Sequence, residues 1–411
     1  MPCLHTRAVL FLLLTLAFPL YANDQPPEVD IGLRARWETA EVGAQKAHAL
    51  TAKARLSAKY HFMDQNHAFI QFDHITSFNE SKYSDGVTQN RYPAIADPEG
   101  TEVNQANLQF EWLDSIITLG RQRIVYDDQR FVGDVGFRQN DQTYDALQIE
   151  RHLFSGSKYR LAYIHNVNRI FGNEADSTLS PTDSRFDSLN GVRPSAQLGN
   201  HHIDGFLLHL NINEWDHFEL SAYGYAVHNY DVSSFSNRTI GFDSRYRNKI
   251  GNIKTLAAAE FAFQQQQAKS TDWLAYRKIS AGLEYLKVKL GLRHELLAER
   301  DGVGFITPLA TLHKFQGWAD QFLITPNEGL LDNSVNLQWS ARPWTIDARY
   351  HWFETDKGGI DIGKEFDLDL IFSPAREHEV KLRFADFKSS SGQSLKTEDV
   401  RKIFLMYSYN L

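Results

Sequence analysis

Leu50-Thr51-Ala52-Lys53-Ala54-Arg55-Leu56-Ser57-Ala58-Lys59-Tyr60-His61 is the stretch on which the reading of this chain turns. Apolar and polar residues alternate without a break. A helix would spread Lys53, Ala54, Arg55 and Leu56 around its whole circumference and bury charge, whereas a strand sorts them onto two faces. The same period of two recurs along the chain. Val29, Ile31, Leu33, Ala35 and Trp37 alternate with Asp30, Gly32, Arg34, Arg36 and Glu38. Trp344, Ile346, Ala348, Tyr350 and Trp352 alternate with Thr345, Asp347, Arg349 and His351, and Phe366, Leu368, Leu370 and Phe372 with Glu365, Asp367 and Asp369.

Extended over the chain, the pattern predicts about 18 strands. They lie near 29–38, 50–62, 67–78, 101–112, 115–126, 142–151, 157–167, 201–212, 217–229, 238–248, 253–264, 273–285, 287–298, 331–341, 344–354, 364–373, 377–389 and 400–410. The alternation is weaker at 142–151, 201–212 and 253–264, and Ala257-Ala258-Ala259-Glu260 has helical propensity. Short connections (63–66, 113–114, 213–216, 286–287, 342–343, 374–377) are interleaved with long ones (79–100, 127–141, 168–200, 299–330). Short periplasmic turns and long extracellular loops are the habit of outer-membrane barrels.

Two further observations favour lipid over a protein core on the apolar face. The polar face carries Arg34, Arg36, Lys53, Arg55, Lys59, Arg160, Arg245, Arg247, Arg349, Lys381 and Arg383. Burying so many charges dry is prohibitive, while a water-filled lumen keeps them hydrated. Hydrophobic residues make up only 42% of the chain but aromatics 13%, which suits a wall with one lipid face and aromatic rims. Trp37, Tyr60, Trp112, Tyr126, Trp339, Trp344, Trp352 and Tyr409 stand near strand ends as girdle candidates. Closing the sheet satisfies the backbone, as hydrocarbon demands. The expected fold is all-β: a transmembrane, antiparallel, up-and-down β-barrel with a polar lumen.

Arg7 followed by the apolar run 8–20 and Tyr21-Ala22 reads as a cleaved signal peptide over 1–22, leaving the barrel as 23–411. The run is too short to span a bilayer, and no later one is long enough for a transmembrane helix. The only cysteine, Cys3, lies in the segment to be removed, so no disulfide or thiolate metal site is expected. The expected location is the outer membrane of a Gram-negative bacterium, with its lipid and lipopolysaccharide as neighbours. A net charge of −8 argues against nucleic acid as a partner. No G-x-S-x-G elbow is present, and no enzyme activity or cofactor is expected. His201-His202 is placed in a loop and not read as a metal pair; Asp127-Asp128 is read as a solvated loop and not as a calcium site.

Leu119-Gly120-Arg121-Gln122-Arg123-Ile124, Tyr126-Asp127-Asp128-Gln129-Arg130-Phe131-Val132-Gly133, Gly136-Phe137-Arg138-Gln139-Asn140 and Thr143-Tyr144-Asp145-Ala146-Leu147 form one block. It resembles the signature of the alginate export family of outer-membrane porins. His313-Lys314-Phe315-Gln316-Gly317-Trp318-Ala319-Asp320 and Gly363-Lys364-Glu365-Phe366-Asp367-Leu368 are similar to the same family. The resemblance implies a monomeric 18-stranded barrel with an electropositive pore for an anionic, uronate-rich polysaccharide or oligosaccharide. Such a cargo needs fixed positive charge in steps, which arginine supplies. The candidate pore-lining residues are Arg121, Arg123, Arg138, Arg34, Arg36, Arg349 and Arg383, with Arg245 and Arg247 a similar pair. Arg121 and Arg123 are expected on one face of a strand. The opposing reading pairs these arginines with lumen acids such as Asp73, Glu111, Asp243, Asp347, Asp367 and Glu379. The loop 127–141 is a candidate constriction, through Asp127, Asp128 and Arg130. The alternative function is a porin for small anions on the same scaffold; a barrel with a binding or enzymatic role is a third.

Overall fold

The computed structural model describes residues 26–63, 66–154, 156–267, 272–390 and 395–411. The leader expected at 1–22 lies outside them. The strands are β1 (Glu28–Val42), β2 (Gln45–Met63), β3 (Asn66–Ser77), β4 (Gly100–Trp112), β5 (Ser115–Gln122), β6 (Thr143–His152), β7 (Lys158–Asn168), β8 (Asn200–Trp215), β9 (Phe218–Asn229) and β10 (Asn237–Ile250). They continue as β11 (Ile253–Gln266), β12 (Leu274–Tyr285), β13 (Val288–Leu297), the small hairpin β14 (Glu299–Arg300) and β15 (Val303–Gly304), β16 (Leu330–Ala341), β17 (Trp344–Glu354), β18 (Asp361–Phe372), β19 (His378–Ser389) and β20 (Val400–Asn410). All but the hairpin form one 18-stranded antiparallel sheet in which each strand pairs with its neighbours in sequence. β1 pairs with β20 from Gly32↔Asn410 to Val42↔Val400, and this closes the wall. The expected up-and-down barrel is therefore the fold, the three weakly alternating segments included.

The departures have local causes. β1 and β2 run further than the alternation suggested and meet over residues 43–44. β5 stops at Gln122 and not at 126. Gly120 there has φ +117°, and a Cβ on it would lie 2.4 Å from the Ala106 carbonyl oxygen, so the strand is already leaving regular geometry. His201 and His202 belong to β8 and not to a loop. The turns 113–114 and 286–287 have positive φ at both residues, the hairpin geometry that matches strand twist.

The two faces of the sheet differ in kind. Leu208, Ile240, Leu290 and Leu337 stand about half exposed on the outside, and Trp112, Trp215, Trp339 and Trp344 ring the end with the tight turns. A belt of this kind is untenable in water and fits hydrocarbon between aromatic rims. Among the described residues no helix is long and apolar enough to cross a membrane; this wall crosses with strands. Closed, even-stranded and apolar outside, it belongs in the outer membrane of a Gram-negative bacterium. The buried core lies inside the barrel, where the long loops 123–142 and 298–329 bring Val132, Phe305, Trp318 and Phe322 against the inner wall.

Candidate functional site

The two inward loops hold each other first. Val132 and Leu309 form a parallel bridge. Gly133 N–H donates to the Leu309 carbonyl at 2.9 Å, and Thr311 N–H to that of Gln129 at 3.1 Å. The buried Tyr144 hydroxyl, from β6, donates to the Gly133 carbonyl at 2.7 Å.

Asp127, Asp128 and Arg130 then tie the first loop to three sectors of wall. Asp127 meets His209 of β8 at 3.1 Å and accepts from Ser221 of β9 at 3.1 Å. Asp128 accepts from Lys278 of β12 at 2.7 Å, and the same ammonium reaches Glu260 of β11 at 2.6 Å. Burial would raise the Asp128 carboxyl, but Lys278 and Lys314 hold it below the usual carboxylate range. Arg130 is only 2% exposed; its Nε donates to Glu295 of β13 at 2.6 Å and its guanidinium lies 4.7 Å from the Phe315 ring.

A second clamp joins β1, β18, β19 and β20 to both loops. Arg36 donates to the Phe137 carbonyl and to Glu38, each at 2.7 Å. Arg138 donates to Glu38 at 3.0 Å and to Asp320 at 3.1 Å, and Lys402 donates to Asp320 at 2.6 Å. Phe137 stacks on His313 at 3.7 Å. Arg383 grips Asp369 at 2.8 and 2.6 Å and lies 3.7 Å over Trp318. Ala319 N–H donates to Glu365 at 2.7 Å. Gly317, with φ +81°, makes this approach feasible, because a Cβ there would fall 2.3 Å from the Glu365 carboxyl.

The candidate arginines thus have different fates. Arg36, Arg138 and Arg383 are buried in the clamp. Arg121 pairs with Asp145 at 2.8 Å, on the row of half-exposed Leu119 of the outer wall. Arg123 lies beyond the end of β5, so the expected shared strand face does not exist; it bonds Asp134. Arg34 is half-buried and donates to the Gly136 and Arg138 carbonyls at 3.1 Å, with no ion pair among the described residues. Arg349 keeps 28% of its side chain exposed while holding Asp347 at 2.8 Å.

Beside Arg349 the lumen opens into a cavity of about 320 Å³. Five cations line it, namely Arg245, Arg247, Lys289, Arg293 and Arg349, and no carboxylate residue does. Asp243, Asp332 and Asp347 stand behind it, at 2.6, 3.0 and 2.8 Å from Arg245, Arg293 and Arg349. Lys289 has no ion-pair partner among the described residues. Lys289 and Arg293 were missed in the sequence, although their alternation with Leu290 and Leu292 already placed them on the inward row.

No protein-family model and no curated protein matches the chain. Solved structures do. OccAB2 of Acinetobacter baumannii superposes with a TM-score of 0.69 at 13% identity, over 94% of this chain and 98% of that one. The outer membrane protein OpdK of Pseudomonas aeruginosa gives 0.69 at 11% identity, again over 94% and 98%. OccAB4 of A. baumannii gives 0.67 at 10%, over 96% and 100%. These likenesses correct the resemblance to the alginate export family, since the similar structures are Occ and Opd proteins. The short motifs behind that resemblance have a structural task here. Asp127 to Arg130, Arg138, His313 to Asp320 and Glu365 dock the inward loops, which says nothing of cargo. The chain has the 18-stranded fold of the Occ and Opd barrels.

Proposed function

We propose that the protein is a passive diffusion channel for small anionic solutes such as organic acids. The observation that carries this reading is the cavity with five cationic side chains and no acid on its surface. A carboxylate that has passed the loops meets guanidinium forks in succession, and arginine offers both charge and paired donors. Arg245, Arg293 and Arg349 are each already engaged by an aspartate and Arg247 by Glu219, so attraction is tempered and the solute can leave as readily as it enters. Ser334 and Asn336 on the same surface offer uncharged hydrogen-bonding groups to the rest of the solute.

In this reading Arg34 and Arg349 contact the solute. The loop held by Asp127, Asp128 and Arg130 narrows the passage, and Arg36, Arg138 and Arg383 keep both loops docked. Arg121 is held by Asp145, and Arg123 stands inside the lumen against the docked first loop, through Asp134 and Asp141. Liposomes carrying the purified barrel test it by the influx of small monocarboxylates against neutral sugars of similar size. The carboxylates should enter faster, and Arg293→Gln with Arg349→Gln should remove that advantage while sparing sugar influx. Equal influx of both in the unmutated protein refutes the reading.

A further inference from the structure

We propose that the outer wall carries a site for a phosphate-bearing lipid of the extracellular leaflet, with one acyl chain in a groove over β9 and the phosphate on Arg238. The groove encloses about 650 Å³ and is overwhelmingly apolar. Two successive rungs build it. Phe206, Ala226 and Arg238 pair across β8, β9 and β10, and Leu208, Gly224 and Ile240 form the next rung down. Phe206, Leu208 and Ile240 project as walls, 60%, 49% and 52% exposed. Ala226 and Gly224 leave the floor low; a Cβ on Gly224 would meet only Ile240 Cγ2, at 4.0 Å.

Charge selects the occupant. Arg238 is exposed near the start of β10, at the end that carries the long loops, on the same outward row as Ile240. Its guanidinium has no hydrogen-bond or ion-pair partner among the described residues. Arg277 of β12, also exposed, has no carboxylate partner either, its Nε donating to His294 at 3.1 Å. Arg277 lies two strands over and further down the wall, on the rung of Phe242 and Phe261, about 16 Å from Arg238. Trp273 lines the groove from the same rim, 43% exposed, where indole rings mark the membrane surface. On a lipid-facing wall the molecule that meets an apolar groove is an acyl chain, and an unpaired guanidinium at the interface calls for an anionic headgroup, which it binds in bidentate fashion. The end with long loops is extracellular, so the leaflet is the one that holds lipopolysaccharide.

The inference rests on the membrane wall and not on the cargo, so it stands or falls apart from the transport reading. Native mass spectrometry of the folded barrel, supplied with lipopolysaccharide or with the same lipid stripped of its lipid A phosphates, tests it. The unmutated protein should retain one intact lipopolysaccharide. Arg238→Ala should weaken retention about ten-fold, the loss of one charge-assisted contact. Gly224→Leu, which fills a groove with room for it, should do the same, and Arg238→Lys should restore part. The dephosphorylated lipid should bind the unmutated protein as poorly as lipopolysaccharide binds Arg238→Ala. Retention unchanged in both variants overturns the proposal. So does loss of a second copy of the chain, in place of a lipid, on Gly224→Leu.

Discussion

His313 sits where both inward loops meet the wall, and its bonding fixes its charge state. Its Nε2 accepts from Arg383 at 2.7 Å, which leaves Nδ1 to donate to Asp320 at 2.6 Å. Burial, with Arg383 and Arg138 close by, pushes its pKa down to about 3 in spite of Asp320. An undocked histidine titrates near 6.5. The undocked form therefore binds the proton more readily, and docking is favoured fully above about pH 6.5 and loses strength as pH falls toward 3. The window to follow is about pH 6.5 to 4.5, above the range in which unperturbed carboxylates titrate. Proteolytic nicking of the loop 298–329 should accelerate on acidification across that window, and His313→Asn should flatten the slope. An identical slope in both proteins would exclude His313 as its source. None of this was legible in the sequence. Arg383 and Arg138 were candidate pore cations, but Asp369 meets Arg383 across the β18–β19 pair, and Glu38 and Asp320 reach Arg138 once the loops dock.

At the level of elements, strands and loops were legible to different degrees. A strand in this wall has lipid on one side and water or charge on the other, and the alternation records that difference directly. Even β11, with its run of alanines, follows it, with Glu260 on the inner face and Phe261 on the outer. Loops have no such rule. That 123–142 and 298–329 fold inward depends on pairs such as Arg130 with Glu295 and Lys278 with Asp128, and no local pattern encodes those. Only the end of β5 carried a local signal, in Gly120. Arg130→Ala would leave buried Glu295 with the Tyr276 hydroxyl at 2.9 Å and Arg293 at 3.9 Å as its remaining partners. Removing one member of a buried pair costs about 3–5 kcal/mol. The first loop should then leave the wall, and single-channel recordings should show larger conductance and more open-channel noise. Conductance indistinguishable from the unmutated protein would mean that the loop is held without this pair.

For the whole molecule, overall charge and local charge point in opposite directions. The chain is acidic by eight charges, yet every charged residue that lines the cavity beyond the loops is a cation. The sequence revealed the closed barrel, its strand number and the sides on which its loops fall. It misled on cargo, because the residues behind the alginate-export resemblance are those that dock loops. A lumen that favours small anions reveals itself in the reversal potential of the purified barrel in a planar bilayer under a potassium chloride gradient. The potential should carry the sign that reports chloride as the more permeant ion, and move toward zero in Arg245→Gln, Arg293→Gln and Arg349→Gln and at high salt, where screening shortens the reach of these charges. A potential of the potassium-selective sign, or one that the three substitutions leave unchanged, would contradict it.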